Sequence, residues 1–337
     1  MNLFIQIPCL NEEKTLPSVI ASLPKKIDGI DKIYILLVDD GSTDKTVEVA
    51  QNLGIDYIIK NNSNLGLAAT FCKGVDAGLF LGADIIVNVD GDNQYKAENI
   101  SDLIKPILEK REDIVVGCRN INTNGDFSIL KKILQIIGSK VVCHLAQIDI
   151  PDTTSGFRAM NCIAARKFVI RCKFSYTLEM LCQSRRIGLR IGWVPVGVNE
   201  KTRESRLFKS NFEYVFQQMK IIIVVLLEYY PLAFFSWTAL VLFLISIGLG
   251  LINQLSPLFL NTERFSLGYL FFFSLASSIL CIVAGLIGSV LSSLHLLLID
   301  IRALLRTEGK NEETVFKSFD IIKSPDFFSW AKIKDKT

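Results

Sequence analysis

The chain has 337 residues, more than one ordinary domain, and half of them are hydrophobic. A positive mean hydropathy excludes a purely soluble protein, and a net charge of +3 gives no reason to expect a nucleic-acid partner. The eight cysteines include no C-x-x-C pair, so reduced thiols in apolar surroundings (Cys143, Cys162, Cys281) are expected rather than a disulfide framework or a zinc site.

Met1–Gln6 has neither a basic n-region nor a long apolar h-region before Pro8, so the globular part is expected to stay in the cytoplasm. Leu3–Ile7 reads as a short strand ended by Pro8, and Asn11-Glu12-Glu13 opens a helix running towards Leu23. Lys32–Val38 is a second strand. It ends in Asp39-Asp40-Gly41-Ser42-Thr43-Asp44, where Ser42 or Thr43 can cap a helix over about Asp44–Leu53. Asp39 and Asp44 read as turn and cap residues. Asp56–Lys60 is a third strand, and Leu67–Leu81 is a helix with Ala and Gly on one face. Ile85–Val89 is a fourth strand and Ile114–Gly117 a fifth. Strands alternating with helices predict an α/β fold with a mostly parallel, doubly wound sheet. Neither G-x-G-x-x-G nor G-x-x-x-x-G-K-[ST] occurs, which disfavours a dinucleotide dehydrogenase and excludes a simple P-loop enzyme.

The fourth strand runs into Asp90-Gly91-Asp92-Asn93-Gln94. A buried strand thus delivers two carboxylates and an amide oxygen to the carboxyl edge of the sheet, where open α/β sheets bind ligands. These are hard donors suited to Mg²⁺ or Mn²⁺ carrying a diphosphate.

Beyond the fifth strand, Ser128–Gln147 is amphipathic at helical spacing, with Lys131, Lys132 and Lys140 off the apolar stripe. It is either an interfacial helix or a helix packed on the sheet. Glu179 lies on a helix, where it either holds a basic loop or is an exposed acid. Ile191–Val198 is the last strand, followed by the basic stretch Asn199–Arg206. Asn211–Tyr230 is amphipathic and ends in Tyr229-Tyr230-Pro231, suited to a headgroup boundary. No charge occurs between Glu228 and Glu263 or between Arg264 and Asp300. Each stretch exceeds the roughly 20 residues that span a bilayer. The expected spans lie near Leu232–Ile252 and Leu267–Leu298, with Pro257 in the connection and the second span tilted or protruding. Arg302, Arg306 and Lys310 follow, which places both ends of the hairpin in the cytoplasm. Ala284, Gly288 and Ser292 suggest close helix packing and a homo-oligomer. His144 and His295 sit in apolar helical contexts and are not expected to be ligands or bases.

Pro8-Cys9-Leu10-Asn11-Glu12, Val38-Asp39-Asp40-Gly41-Ser42-Thr43-Asp44, Asn64-Leu65-Gly66 and Asp90-Gly91-Asp92-Asn93-Gln94, in this order, resemble the family 2 glycosyltransferases. Asp152-Thr153-Thr154-Ser155-Gly156-Phe157-Arg158 resembles the D-x-x-x-G-F-R signature of the dolichyl- and polyprenyl-phosphate sugar synthases within that family. The hairpin resembles that of bacterial members of the GtrB type. The Gln-x-x-Arg-Trp motif of processive synthases is missing, since Gln183-Ser184-Arg185-Arg186-Ile187 has no Trp.

The resemblance implies a GT-A domain over residues 1–210, a juxtamembrane amphipathic helix over 211–230, two transmembrane helices over 231–300 and a cytoplasmic tail over 301–337. It implies an inverting, metal-dependent hexosyltransferase with a UDP- or GDP-sugar donor and a polyprenyl-phosphate acceptor. Asp92 and Gln94 would be the metal ligands, and Asp90 would face the nucleotide. Pro8, Glu12 and Asp40 resemble the nucleoside pocket, although Glu12 and Asp40 are also helix N-terminal acids favoured by the macrodipole.

A lipid-phosphate acceptor needs cations near the metal rather than a strong base. Arg119, Lys201, Arg203 and Arg206 are the candidates, and the last three could instead lie against anionic headgroups. Asp152 is the candidate base should one be required, or else it fixes its loop by pairing with Arg158. Another membrane acceptor, such as diacylglycerol or a lipid-linked saccharide, and a non-catalytic sugar-nucleotide or lipid binder remain open.

Overall fold

The fold is that of a computed structural model, which describes residues 1–119, 139–140, 143, 146–170, 176–199, 219–220, 222–224, 226–259, 264–305 and 321–323. The chain divides into two units, Met1–Ile221 with Ile299–Thr337, and Ile222–Leu298.

The first unit is built on one mixed sheet. Its strands are β1 (Asn2–Cys9), β2 (Lys32–Asp39), β3 (Tyr57–Lys60), β4 (Ile85–Asn88), β5 (Ile114–Arg119), β6 (Arg158–Asn161), β7 (Ile191–Val196) and β8 (Ile321–Lys323). Their spatial order is β7-β5-β6-β4-β1-β2-β3-β8. The pairs β1–β2, β1–β4, β2–β3 and β5–β7 are parallel. This matches the doubly wound reading of the N-terminal half. β6, which the sequence reading took only as part of a loop signature, runs antiparallel between β4 and β5. It has four residues, and Arg158-Ala159-Met160-Asn161 shows little of the β-branched, apolar content that marks a strand.

Period-two alternation sorts the core onto both faces. Leu3, Ile5 and Ile7 of β1 pack with residues of α1 (Leu16–Ser22), α2 (Thr46–Asn52) and α4 (Ile100–Leu108). Phe4 packs on the other side with α3 (Leu67–Phe80), α5 (Cys162–Lys167) and α6 (Tyr176–Arg186). The small face of α3 has a plain cause. A Cβ on Gly74 would lie 2.5 Å from Gln6 Oε1, so the helix sits close over the strand.

Helix starts differ from expectation. α1 begins at Leu16, after a turn that contains Asn11 and Glu12, with Asn11 at φ 57°. α2 begins at Thr46. Neither Ser42 nor Thr43 caps it. Asp44 Oδ1 instead accepts from Thr46 N at 2.9 Å, while Ser42 Oγ accepts from Asn11 N at 2.8 Å. Asp39 is a turn residue as expected, its carboxylate accepting from Ser42 N at 3.1 Å.

The second unit contains all of α7 (Pro231–Phe259, 29 residues) and most of α8 (Arg264–Leu305, 42 residues). Both contain segments long and apolar enough to cross a membrane, Pro231–Gln254 and Gly268–Leu304. Trp237, Phe272 and Phe273 are 67–72% exposed, unlike side chains of a soluble core helix. Pro257 lies within α7 rather than in the connection. The small-residue stripe packs inside this unit: a Cβ on Gly288 would lie 2.7 Å from Pro231 Cβ, and one on Gly285 3.1 Å from Phe235 Cβ. Gly288 therefore serves helix packing within the chain, as the small-residue spacing suggests. His295 Nε2 lies 3.5 Å from Glu228 Oε1. The described parts of residues 219–229 are helical, with Met219, Ile223, Val224 and Leu227 exposed. Most of Ser128–Gln147 and all of Asn211–Gln218 fall outside the described residues, as does His144.

The cysteines among the described residues are free. Cys9, Cys118 and Cys182 are buried, whereas Cys143, Cys162 and Cys281, expected to be buried, are only partly so.

Candidate active site

Because β4, β1 and β2 are neighbours and parallel, their carboxyl ends lie side by side. Pro8 ends β1, Asp39-Asp40 ends β2, and Asp90 follows β4. Gly91 permits the contact between the first and last of these. A Cβ there would lie 2.9 Å from Cys9 Sγ and 3.3 Å from Pro8 O.

Glu12 is buried, and Thr15 ties it to the aspartate loop. Thr15 Oγ1 lies 2.7 Å from Glu12 Oε2 and 2.9 Å from Gly91 O. Glu12 N donates to Thr46 Oγ1 at 2.8 Å. Asp40 is also buried. Its carboxylate accepts from Leu65 N at 2.8 Å, Gly66 N at 3.0 Å and Asn61 Nδ2 at 3.1 Å. Asp40 thus anchors the Asn64-Leu65-Gly66 turn at the start of α3, and its acceptor capacity is shared between that turn and any ligand.

Asp90 sits on a buried polar network. Gln6 Nε2 donates to Asn88 Oδ1 at 2.9 Å, and Asn88 Nδ2 donates to Gly156 O at 2.9 Å and Tyr176 Oη at 3.0 Å. Tyr176 stacks on Phe71 with ring centroids 3.8 Å apart. Burial, and then the charge of Asp92, push the Asp90 carboxyl up to about 7, against the pull of Arg119. A carboxyl displaced this way marks a site short of positive charge. Two carboxylates and the Gln94 amide are the hard donor set that a divalent ion would satisfy, so the residues fit the metal that the sequence implies. Among the described residues no group of three His, Cys, Asp or Glu side chains gathers, so substrate oxygens or water would complete the shell.

The second half of the site comes from β5 and the 152–158 loop. A Cβ on Gly156 would lie 2.9 Å from Asp90 Oδ2, so this loop packs directly on the aspartates. Asp152 does not pair with Arg158. It takes a two-pronged bond from Arg119, Nε to Oδ2 at 2.7 Å and Nη2 to Oδ1 at 3.3 Å. Arg119 also reaches Thr154 Oγ1 at 3.3 Å and lies over the Tyr95 ring, 5.7 Å from its centroid. Burial raises the Asp152 carboxyl, but the Arg119 charge and the bonds from Arg119 and Thr154 outweigh it and hold it below the usual range. Its character as a general base is correspondingly weak.

Arg158 is fully buried and binds backbone instead. It donates to Thr153 O, Ser155 O and Thr177 O, each at 2.8 Å. Three carbonyls take one hydrogen bond from each guanidinium nitrogen, and these bonds fix the loop that presents Asp152 and Thr154. Glu179 is 1% exposed, so it is not an exposed helix acid.

The site therefore brings together Pro8, Glu12, Asp40, Asp90, Asp92 and Gln94 on one side and Arg119 with Asp152 on the other. Lys201, Arg203 and Arg206 lie outside the described residues. Thr15, Asn88 and Tyr95, which the sequence reading did not single out, also take part in this arrangement. An Asn inside the apolar run Ile85-Ile86-Val87-Asn88 was the one available signal, because a buried amide demands partners.

The family model described as "Glycosyl transferase family 2" matches residues 4–169. Protein RfbJ of Shigella flexneri is 33% identical over 134 residues, covering 39% of this chain and 94% of that protein. A UDP-N-acetylglucosamine–dolichyl-phosphate N-acetylglucosaminyltransferase of Methanococcus voltae is 28% identical over 215 residues, covering 58% of this chain and 84% of that one. Among solved structures, glucosyl-3-phosphoglycerate synthase of Mycobacterium tuberculosis, in complex with Mn²⁺, UDP and glucosyl-3-phosphoglycerate, superposes with a TM-score of 0.53 at 20% identity. It covers 67% of this chain and 78% of that one. At that identity the likeness speaks for the GT-A fold alone.

Proposed function

This chain belongs to glycosyl transferase family 2, and we propose that it transfers a hexose from a UDP- or GDP-sugar to a polyprenyl phosphate at the cytoplasmic face of a membrane, inverting the anomeric centre. The observation that carries this reading is the juxtaposition of two opposite charges. The Asp90–Asp92 loop and the Arg119 guanidinium are brought together by Gly156, which packs against Asp90. Such a site suits two phosphate groups, one held through a cation and one by arginine. The Methanococcus voltae relative, named for a UDP-sugar donor and a dolichyl-phosphate acceptor, supports the same pairing.

In this reading Asp92 and Gln94 would hold a Mg²⁺ or Mn²⁺ ion, which offsets the charge gained by the departing nucleoside diphosphate. Pro8, Glu12 and Asp40 line the nucleoside end. Arg119, held in one orientation by Asp152 and Thr154, binds the acceptor phosphate and aims one oxygen at the sugar's anomeric carbon. That oxygen forms the new C–O bond as the bond to the diphosphate breaks, and the electron pair leaves with the diphosphate. The acceptor phosphate is already anionic at neutral pH, with a second pKa near 6 by analogy with phosphorylated side chains. No proton must be removed, which agrees with an Asp152 that is a poor base. Lys201, Arg203 and Arg206 would add positive charge near the same phosphates.

The apolar segments Pro231–Gln254 and Gly268–Leu304 would form a two-pass membrane hairpin. Pairing of β8 with β3 supports this topology, because residues on either side of the hairpin then share one sheet and one side of the membrane. The domain boundaries near 210, 230 and 300 follow from the same reading. The function is tested by incubating purified protein with Mn²⁺, polyprenyl phosphate and a panel of labelled nucleotide sugars. Label should move into the lipid phase from one sugar of the panel. Its absence with every donor would refute the assignment.

A further inference from the structure

The aspartate loop is strapped from behind by a segment more than 100 residues later in the chain. Past the end of β7, Gly197 O accepts from Lys96 N at 3.3 Å, Gly197 N donates to Asn99 Oδ1 at 2.9 Å, and Tyr95 and Val198 form an antiparallel bridge. This short ladder leads to Asn199. Its backbone N donates to Gln94 O at 2.9 Å, and its side-chain Nδ2 donates to Asn93 O at 2.9 Å and Tyr95 O at 3.3 Å. Three consecutive carbonyls, those of Asn93, Gln94 and Tyr95, therefore converge on one residue. Carbonyls of an extended strand alternate in direction, so this convergence exists only because the loop turns sharply. The turn is made by Asn93 at φ 59°, in the left-handed region that asparagine enters more readily than other non-glycine residues but less freely than glycine. Within the loop, Gln94 N donates to Asp92 Oδ1 at 3.2 Å, so the backbone of Gln94 is held from both sides.

We propose that Asn199 is a positioning residue for the metal and diphosphate site: its amide and backbone N–H hold the Asp92-Asn93-Gln94 turn in the conformation that presents Asp92 and Gln94. It touches no substrate in this role and acts through the turn. The inference rests on the reading of Asp92 and Gln94 as metal ligands. Without the amide, the carbonyls of Asn93 and Tyr95 lose a donor, only the backbone bond to Gln94 O remains, and the turn relaxes away from its left-handed form. Residues that orient ligands from behind typically change metal affinity about 10–100-fold when removed.

The test is direct Mn²⁺ binding, by electron paramagnetic resonance titration of free Mn²⁺, on the full chain in detergent with UDP present. Asp92→Ala should abolish specific binding. Asn199→Ala should weaken it about tenfold or more. Asn199→Asp should be worse, because a carboxylate then faces the carbonyls. Adding Asn93→Gly to Asn199→Ala should recover affinity, because glycine enters the left-handed region without a steric penalty. A purely structural Asn199 would lower thermal stability without this suppression. Wild-type affinity in folded Asn199→Ala, beside a null Asp92→Ala, overturns the proposal and leaves the metal reading standing. Should Asn199→Ala not fold, Asn93→Val, which disfavours the same turn, must reproduce the loss, and wild-type affinity there overturns the proposal. Equal Mn²⁺ binding by wild type and Asp92→Ala overturns both.

Discussion

The two halves of the site are assembled in opposite ways. On the side we propose for the donor, parallel strands β1, β2 and β4 each end in their own short motif, so Pro8, Glu12, Asp40 and Asp90 reach the site by following the strand that carries them. On the acceptor side, the chain reverses through antiparallel β6, and Arg119 meets Asp152, 33 residues away, only because β5 and β6 are paired. The first half can be read along the sequence. The second depends on which residues meet across the fold. A donor-side residue should therefore act through the ligand it faces, and an acceptor-side residue through the partner it was given.

The sharpest way to break this contrast is at the donor side. Asp92→Ala, or EDTA added to the wild type, should lower the initial transfer rate by at least about 10²-fold with the thermal midpoint in metal-free buffer unchanged. Full turnover in excess EDTA would remove the metal-dependent mechanism.

On the acceptor side the expected effect is on the fold as well. The Arg119 and Asp152 side chains are 14% and 0% exposed. Arg119→Ala strands a buried carboxylate and should cost about 3–5 kcal/mol in denaturant unfolding, besides losing transfer. Replacing both, with Arg119→Met and Asp152→Leu, should restore much of the stability while transfer stays absent. A single variant as stable as the wild type would mean that the pair does not organise this half.

A smaller effect is expected for Asp152→Asn, which keeps the shape and one acceptor for Arg119. The rate should fall only partly. The Asp152 carboxyl is held below its ordinary value. Its pairing therefore stabilises the fold above the unfolded carboxylate pKa of about 4 and is lost only as the pH falls below it. It contributes no ionisation near neutrality. The acid limb of the rate profile should lie near pH 6 to 7, where the acceptor phosphate and Asp90 titrate, and should be the same in Asp152→Asn. A limb that disappears in this variant would restore Asp152 as the base.

How much of this was legible follows from the same contrast. The first five strands, the last strand of the N-terminal half, the aspartate loop and the two apolar helices were readable, because periodicity and uninterrupted apolar length are local signals. The Arg119–Asp152 pair was not. Asp152 and Arg158 share a motif, and sequence proximity pointed to the wrong partner, whereas Arg158 is spent on three carbonyls. β6 was hidden for a related reason: its four residues serve the sheet through position, not composition. Asn199 was read only as the start of a basic stretch, because nothing in the local sequence shows that Asn93 turns left-handed. Gly288 was read for close helix packing, and it does admit Pro231 of its own chain, although the sequence could not say which helix it would meet.

The proposed hairpin topology has a two-outcome test of its own. In the proposed hairpin, reporter fusions after Thr337 and near Thr262 should report inside and outside respectively, in keeping with the pairing of β8 with β3 in one sheet. A cytoplasmic signal at Thr262 with an external C-terminus would break the hairpin.

The central claim is that the acceptor is a phosphate, bound by Arg119 and needing no base. Its most direct test is to offer the purified protein matched polyprenyl phosphate and polyprenol, with Mn²⁺ and the preferred nucleotide sugar, across pH 5 to 8. The account predicts transfer to the phosphate alone, rising through pH 6, with no product from the alcohol. Comparable transfer to the alcohol, abolished by Asp152→Asn and untouched by Arg119→Lys, would contradict it.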